Sequence, residues 1–304
     1  MSHVSVLLEE SLAALHLQKG MTVVDGTFGF GGHSTAIAKV IGMEGQLIAF
    51  DADESVFAKD KGSAHVKELE RLTRFTSVPE NFRHISEALK RLHVERIDAA
   101  LFDLGLSSTQ LEVSGRGFSF QKDEPLLMTF KETPDESDVT AEVVVNEWSK
   151  ETLTTILSGF GDERYAWRIA GGIIEARKKN EGKRITTTFE LVNIIKSSTP
   201  VGYHHGKTHP ATRTFQALRM AVNDELGAIE KGIEGAFAAL APKGRIAVIS
   251  FHSIEDRLVK QLFKKKVEEG SATAVFKKPQ TSGDEELAGN PRARSAKLRA
   301  IEKV

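Results

Sequence analysis

Short apolar runs alternate with amphipathic stretches over the first hundred residues, and this alternation sets the expected architecture. Val23-Val24 ends in Asp25, and Gln46–Phe50 ends in Asp51-Ala52-Asp53. Arg74–Val78 is followed by Pro79-Glu80-Asn81-Phe82, and Ile97–Phe102 ends in Asp103. Each run has the length of a strand rather than of a buried helix. Between them Ser34–Val40, Ser55–Lys67 and Ile85–Leu92 carry helical spacing, and His3–Leu15 reads as an amphipathic helix or an entry segment against a sheet. Such a βαβ rhythm predicts right-handed crossovers and a doubly wound parallel sheet that binds ligands at the carboxyl ends of its strands. Asp25, Asp51 and Asp103 then emerge on one edge.

From about Ser107 the rhythm breaks. Residues 109–133 read as loop, with Gly115–Phe120 as a glycine and aromatic segment. Thr140–Trp148, Lys150–Leu157 and Glu163–Lys178 have helical apolar spacing, and Thr187–Glu190 is a capping box opening a helix over Leu191–Ser197. Helices with no strand between them predict an inserted helical domain. The sheet resumes after a long helix from about Arg213 to Leu240: Arg245–Ser250 is a fifth strand, Ile254–Lys266 a helix, and Val275–Lys278 with Ala296–Ile301 a terminal pair. The expected domains are 1–108 and 207–304 for the sheet and 109–206 for the insertion.

Composition narrows the possibilities. The 304 residues are 40% hydrophobic and 27% charged, ordinary globular values. No apolar run approaches a membrane span of roughly 18 residues, and the N-terminus has no basic leader, so a cytoplasmic protein without membrane contact is expected. With no cysteine, disulfides, zinc–thiolate sites and cysteine nucleophiles are excluded. The net charge of -1 gives no global attraction to nucleic acid, but Lys243–Val304 holds 14 basic against 8 acidic residues, so a polyanion would meet a local basic face.

The densest candidate chemistry is Thr22–Ser34, TVVDGTFGFGGHS. Strand, glycine turn and helix present backbone N–H groups to a nucleotide-like ligand, and glycine lets the backbone approach it closely. Asp51 stands 20 residues beyond Gly31, where an acid accepts hydrogen bonds from ribose hydroxyls. Asp53 reads as a helix cap. Glycine spacing and Asp51 alone would also suit a nicotinamide oxidoreductase. A loop that opens on an acid and seven strands with a terminal pair suit an S-adenosylmethionine methyltransferase better.

The motifs HVSVLLEE (His3–Glu10), VDGTFGFGGHS (Val24–Ser34), FDAD (Phe50–Asp53), DLGLSS (Asp103–Ser108), RGFSF (Arg116–Phe120), HPATRTFQALR (His209–Arg219), ISFHSIEDR (Ile249–Arg257) and NPRARSAKLR (Asn290–Arg299) span nearly the whole chain. In them the chain resembles the RsmH (MraW) family, the 16S rRNA cytosine-N4 methyltransferases. The resemblance implies an α/β fold of class I (Rossmann-like), a seven-stranded S-adenosylmethionine-dependent methyltransferase with an inserted helical domain. It implies S-adenosyl-L-methionine as cofactor and 16S rRNA in the small ribosomal subunit as partner; a homodimer is open to it. Carried over by position, the cofactor contacts are Gly31, Gly32, His33, Asp51, Phe82, Asp103 and Gln110.

Cytosine N4 is a poor nucleophile because its lone pair is conjugated with the ring, so an acceptor for its protons assists attack. In-line positioning supplies roughly 7–11 kcal/mol, against about 3–5 kcal/mol from acid–base assistance. Many amino methyltransferases place a Pro-Pro-aromatic motif after the fourth strand; here DLGLSS stands there, so Asp103 or nearby carbonyls are the first candidate catalytic acceptor and His252 the second. Arg116, Arg213, Arg219, Arg257, Arg292 and Arg294, with Lys297 and Arg299, are candidate phosphate contacts, and Phe118 or Phe120 could stack on an extruded base. The chain departs from the family pattern in one segment and at three single positions. PLLMTF (Pro125–Phe130) replaces PLDMRM, and Phe30, Trp167 and Gly171 stand where relatives carry basic residues. The departures lie on the expected substrate side, leaving a cofactor-binding ribosome-assembly factor with weak catalysis as the rival reading.

Overall fold

Seven strands form one sheet: β1 (Thr22–Asp25), β2 (Gln46–Phe50), β3 (Arg74–Val78), β4 (Ile97–Asp103), β5 (Leu240–Ser250), β6 (Ala272–Ala274) and β7 (Lys297–Lys303). Their spatial order is β3-β2-β1-β4-β5-β7-β6. The first five are parallel, and β7 lies antiparallel between β5 and β6. This computed structural model describes residues 5–57, 63–105, 114–135, 137–179, 183–206 and 208–304. The helices, in chain order, are α1 (Leu8–Leu15), α2 (Gly32–Ile41), α3 (Ser63–Leu72), α4 (Ile85–Arg91), α5 (Ala141–Glu147), α6 (Lys150–Gly161), α7 (Ala166–Lys179), α8 (Thr188–Ser198), α9 (Val201–His204), α10 (Thr212–Asn223), α11 (Glu225–Ala239), α12 (Ser253–Glu268) and α13 (Asp284–Gly289).

Alternation along the strands builds two cores. Val24, Ile48, Phe50, Ala100, Phe102, Ile246 and Val248 face one layer, with Ile85, Ile233 and Val259 from α4, α11 and α12. Val23, Leu47, Ala49, Ala99, Leu101, Ala247 and Ile249 face the other, with Leu15 and Ile37 from α1 and α2 and Leu69 from α3. Central strands apolar on both faces are what a covered parallel sheet requires.

The chain divides into two compact units, residues up to Gly105 with Leu226–Val304, and Leu106–Glu225. The helical unit therefore ends later than residue 206. The reason is α10: its Phe215, Ala217 and Leu218 are buried with Leu153 and Leu157 of α6, Ile169 of α7 and Leu191 of α8. Segment 208–225 belongs with that core, not with the sheet.

Smaller differences have local causes. The long helix expected from Arg213 to Leu240 is two, because Asp224 takes a left-handed conformation at φ 45°. β5 starts at Leu240 and pairs irregularly with β4 between Ile97 and Ala99. The sixth strand is Ala272–Ala274, directly after Gly270 at φ 71°, and Val275 only continues its bonding through an N–H donated to Ala300 O at 3.0 Å.

Gly26, first after β1, shows how closely the layers meet. Its N–H donates to Leu101 O at 2.8 Å, and a Cβ there would collide with the ring of Phe102, which is fully buried. Gly26→Ala should therefore cost about 1–3 kcal/mol through overpacking, read as a lower urea midpoint.

Candidate cofactor site

Asp25 is fully buried at the end of β1 and holds the glycine loop together. Its Oδ1 accepts from Thr27 N at 3.0 Å and its Oδ2 from Ser34 Oγ at 2.7 Å. Burial pushes this carboxyl up despite those bonds. The next contacts fix the loop to its neighbours. Phe28 N donates to Phe50 O at 2.8 Å, and Gly29 N donates to Asp51 Oδ2 at 2.8 Å. Gly31 caps α2 at φ 74°, where a side chain would be strained and would press on the Phe28 ring. Loop, strand ends and helix N-terminus thus form a preset cradle.

Asp51 also accepts from Asp53 N at 2.9 Å through Oδ1. Both of its oxygens are aimed by backbone donors, and burial raises the carboxyl to about 6. Asp53 accepts from Ser55 N at 3.2 Å and starts the short 3-10 turn Glu54–Phe57, the capping role expected of it. Phe82 opens another 3-10 turn, Phe82–His84, capped by Asn81. Its ring meets Phe102 edge to face at 5.4 Å, and Gly232 of α11 leaves space for it. Phe82 is half-buried, so the ring serves the core and still offers an apolar surface after β3.

Asp103 ends β4, and its N–H donates to Thr27 Oγ1 at 2.7 Å. Its Oδ2 lies 3.5 Å from Nδ1 of His33, whose Nε2 contacts Val6 O at 3.1 Å. Because a carbonyl can only accept, Nε2 carries a proton and Nδ1 is the atom turned to the carboxylate. Burial raises Asp103 to about 6, opposed by the His33 charge and reinforced by Asp25 and Glu255. Its Oδ1 is enclosed and has no hydrogen-bond partner among the described residues. Among the described residues, Asp103 alone of Asp25, Asp51 and Asp103 keeps a carboxylate oxygen without a hydrogen-bond partner.

The structure thus brings Gly31, Gly32, His33, Asp51 and Asp103 around one loop, with Phe82 following the neighbouring strand. Gln110 lies outside the described residues. Sequence reasoning passed over Thr27 and Ser34, whose hydroxyls lock the loop; two hydroxyls around a strand-end acid were the available signal.

His252 sits at the end of β5 as the N-cap of α12. Its Nδ1 accepts from Glu255 N at 3.3 Å, its Nε2 lies 3.1 Å from Glu255 Oε1, and Glu255 Oε2 accepts from Phe251 N at 2.8 Å. This is a capping box with histidine as the cap. The spacing H-x-x-E in HSIE signalled it.

Several expected RNA contacts have other work. Arg116 is 5% exposed and donates to the carbonyls of Thr129 (3.3 Å) and Phe130 (2.6 Å), clasping a loop rather than meeting a phosphate. Phe118 is buried, stacked on Phe130 at 6.0 Å, so it is not open to a base. Phe120 is half-buried, stacked on His209 at 4.4 Å. Arg219 forms a bidentate pair with Glu225, at 2.6 and 2.8 Å. Lys297 and Arg299 both bind Asp256, at 3.0 and 2.7 Å. Arg213, Arg257, Arg292 and Arg294 are exposed, with Arg213 also donating to Asp162 O. In PLLMTF, Leu126, Met128 and Thr129 are buried, and Asn223 holds the segment by bonds to Met128 O (2.7 Å) and Phe130 N (2.8 Å).

The strand order with β7 reversed, the acid-opened glycine loop and the strand-end acids define a class: the seven-stranded methyltransferases that take their methyl group from S-adenosylmethionine. The residues present fit that cofactor, since a ready glycine cradle, an aimed ribose-side carboxylate and an enclosed, unpartnered Asp103 oxygen match its hydroxyls and cationic groups. Within this class the chain belongs to the MraW methylase family, whose pattern it matches over residues 1–304. It is 42% identical over 317 residues to the ribosomal RNA small subunit methyltransferase H of Acetivibrio thermocellus, covering 99% of both chains. It is 40% identical over 319 residues to the protein of that name from Symbiobacterium thermophilum, covering 99% of this chain and 96% of the relative.

Proposed function

We propose that this methyltransferase modifies the N4 amino group of a cytosine in the decoding centre of small-subunit ribosomal RNA, in the cytoplasm. The relatives' shared name supports the RNA, and the resemblance supports the base. The observation carrying the chemistry is the Asp103 carboxylate at the strand ends, a quarter exposed and with one oxygen unpartnered among the described residues. S-adenosylmethionine, when bound, supplies a methyl group already activated by its sulfonium charge. Gly31 and Gly32 would hold its methionine part, Asp51 its ribose hydroxyls and Phe82 its adenine.

The chain's own part is positioning. Thr27 and the β4 backbone fix Asp103, and His33 faces its second oxygen. The carboxylate, a quarter exposed at the strand end, can then accept a hydrogen bond from the cytosine amino group and take the proton that nitrogen releases. His252 is held as a cap and keeps at most an orienting role beside Glu255.

The test is to incubate small subunits lacking the modification with labelled cofactor and map the methyl group by mass spectrometry. One N4-methylcytosine in the decoding centre is expected. Cofactor binding without methyl transfer would instead support the assembly-factor reading.

A further inference from the structure

The start of α7 carries a concentration of aromatic and cationic side chains that the cofactor site does not use. Both tyrosines of the chain and one of its two tryptophans are here. Tyr165 and Tyr203 meet edge to face at 4.9 Å, and Arg164 lies over both rings at 4.9 and 4.8 Å. Trp167 is 56% exposed, and Lys150 Nζ sits 3.6 Å from its ring centroid. Gly171, one turn along, lies beside that lysine: a Cβ there would touch Nζ at 3.5 Å, an ordinary contact.

A tryptophan used for folding would be buried, because the apolar ring is what stabilises a core. Here most of the ring stays in water while a cation fixes its position. The exposed charges along this helix and its approach are Arg164, Arg168, Lys178 and Lys179, against two acids, Asp162 and Glu175. Aromatic faces set among cations are how proteins hold single-stranded nucleic acid: bases stack and phosphates meet the charges.

We propose that Trp167 is a stacking platform for an unpaired base of the substrate RNA, with Lys150 bracing the indole and Arg168 meeting a flanking phosphate. This rests on the RNA-substrate reading above. It assigns a docking surface on the helical unit rather than a further part in the chemistry.

The experiment uses the full chain carrying Trp148→Phe, so that Trp167 is the only tryptophan, titrated with a single-stranded RNA of about twelve nucleotides. Saturable quenching of Trp167 fluorescence is expected. Trp167→Ala should weaken affinity for the same RNA about 5–150-fold, matching roughly 1–3 kcal/mol per stacked base. The slope of log affinity against log salt should stay unchanged in Trp167→Ala but fall by about one in Arg168→Ala. Should Trp148→Phe fail to fold, the difference in quenching between wild type and Trp167→Ala gives the same reading.

RNA binding with unaltered Trp167 fluorescence and wild-type affinity in Trp167→Ala would overturn the proposal. So would equal quenching by polyglutamate, which would mark the face as a site for acidic protein. Absence of RNA binding by the wild type also overturns it, while methyl transfer to intact small subunits, measured separately, decides whether the RNA-substrate reading survives.

Discussion

Asp103→Asn should lower methyl transfer by about 10²–10⁴-fold while raising the melting temperature of the unliganded protein. The two effects have one origin. Burial holds the Asp103 carboxyl at about 6 in the folded protein, against about 3.9 in an unfolded chain. The folded state therefore binds the proton more tightly, and stability falls as pH rises from about 4 to about 6. Above that window the ionised carboxylate is a standing cost, which the neutral amide removes. A quarter of the side chain is exposed, so solvent screening reduces the gain to about 1 kcal/mol. It should be present at pH 8 and vanish near pH 4. Calorimetry at both values, beside turnover, checks the pair of effects; near-normal turnover would remove Asp103 from the chemistry. In the wild type, Asp51 and Asp103 both protonate near 6. Cofactor affinity, measured by calorimetric titration, should therefore fall as pH drops below about 6.

Arg219→Met should destabilise the protein by about 3–5 kcal/mol, the largest loss expected from any of the arginines read as RNA contacts. The Arg219 and Glu225 side chains are only 13% and 8% exposed, and their forks meet in two short bonds. Removing one partner leaves a buried charge without its main compensation, which costs far more than the pair contributes net. Arg219→Met/Glu225→Gln should recover part of the loss. Arg213→Ala, on the exposed face of the same helix, should change stability by no more than about 0.5 kcal/mol and act on the salt dependence of RNA affinity instead. Urea unfolding of the four proteins separates these outcomes.

This contrast shows where the sequence was readable. The sheet was legible because period and length agreed at the first four strands, and a strand-end acid marked three of them, β1, β2 and β4. Asp51 stood out because ligand chemistry fixes the separation of such an acid from the loop, and it does lie against the loop, accepting from Gly29 N. The arginines were not legible, because a basic residue in a motif looks alike whether it meets a phosphate, a carbonyl or a carboxylate. Arg116 turned inward to two carbonyls, and only tertiary packing decides that. The end of the helical unit was misplaced for a related reason. The amphipathic pattern of α10 shows that it buries a face but not which core receives it.

The interrupted sheet has a consequence for synthesis on the ribosome. Strands β1 to β4 emerge first, yet β5, the partner of β4, begins only at Leu240. The whole helical unit, Leu106–Glu225, leaves the exit tunnel before that partner exists. One side of β4 therefore waits with open hydrogen-bonding groups, a surface that invites mispairing in a nascent chain. β7, which sits between β5 and β6, is made later still, at Lys297–Lys303. A chain stalled before it can complete its helical unit but not its sheet.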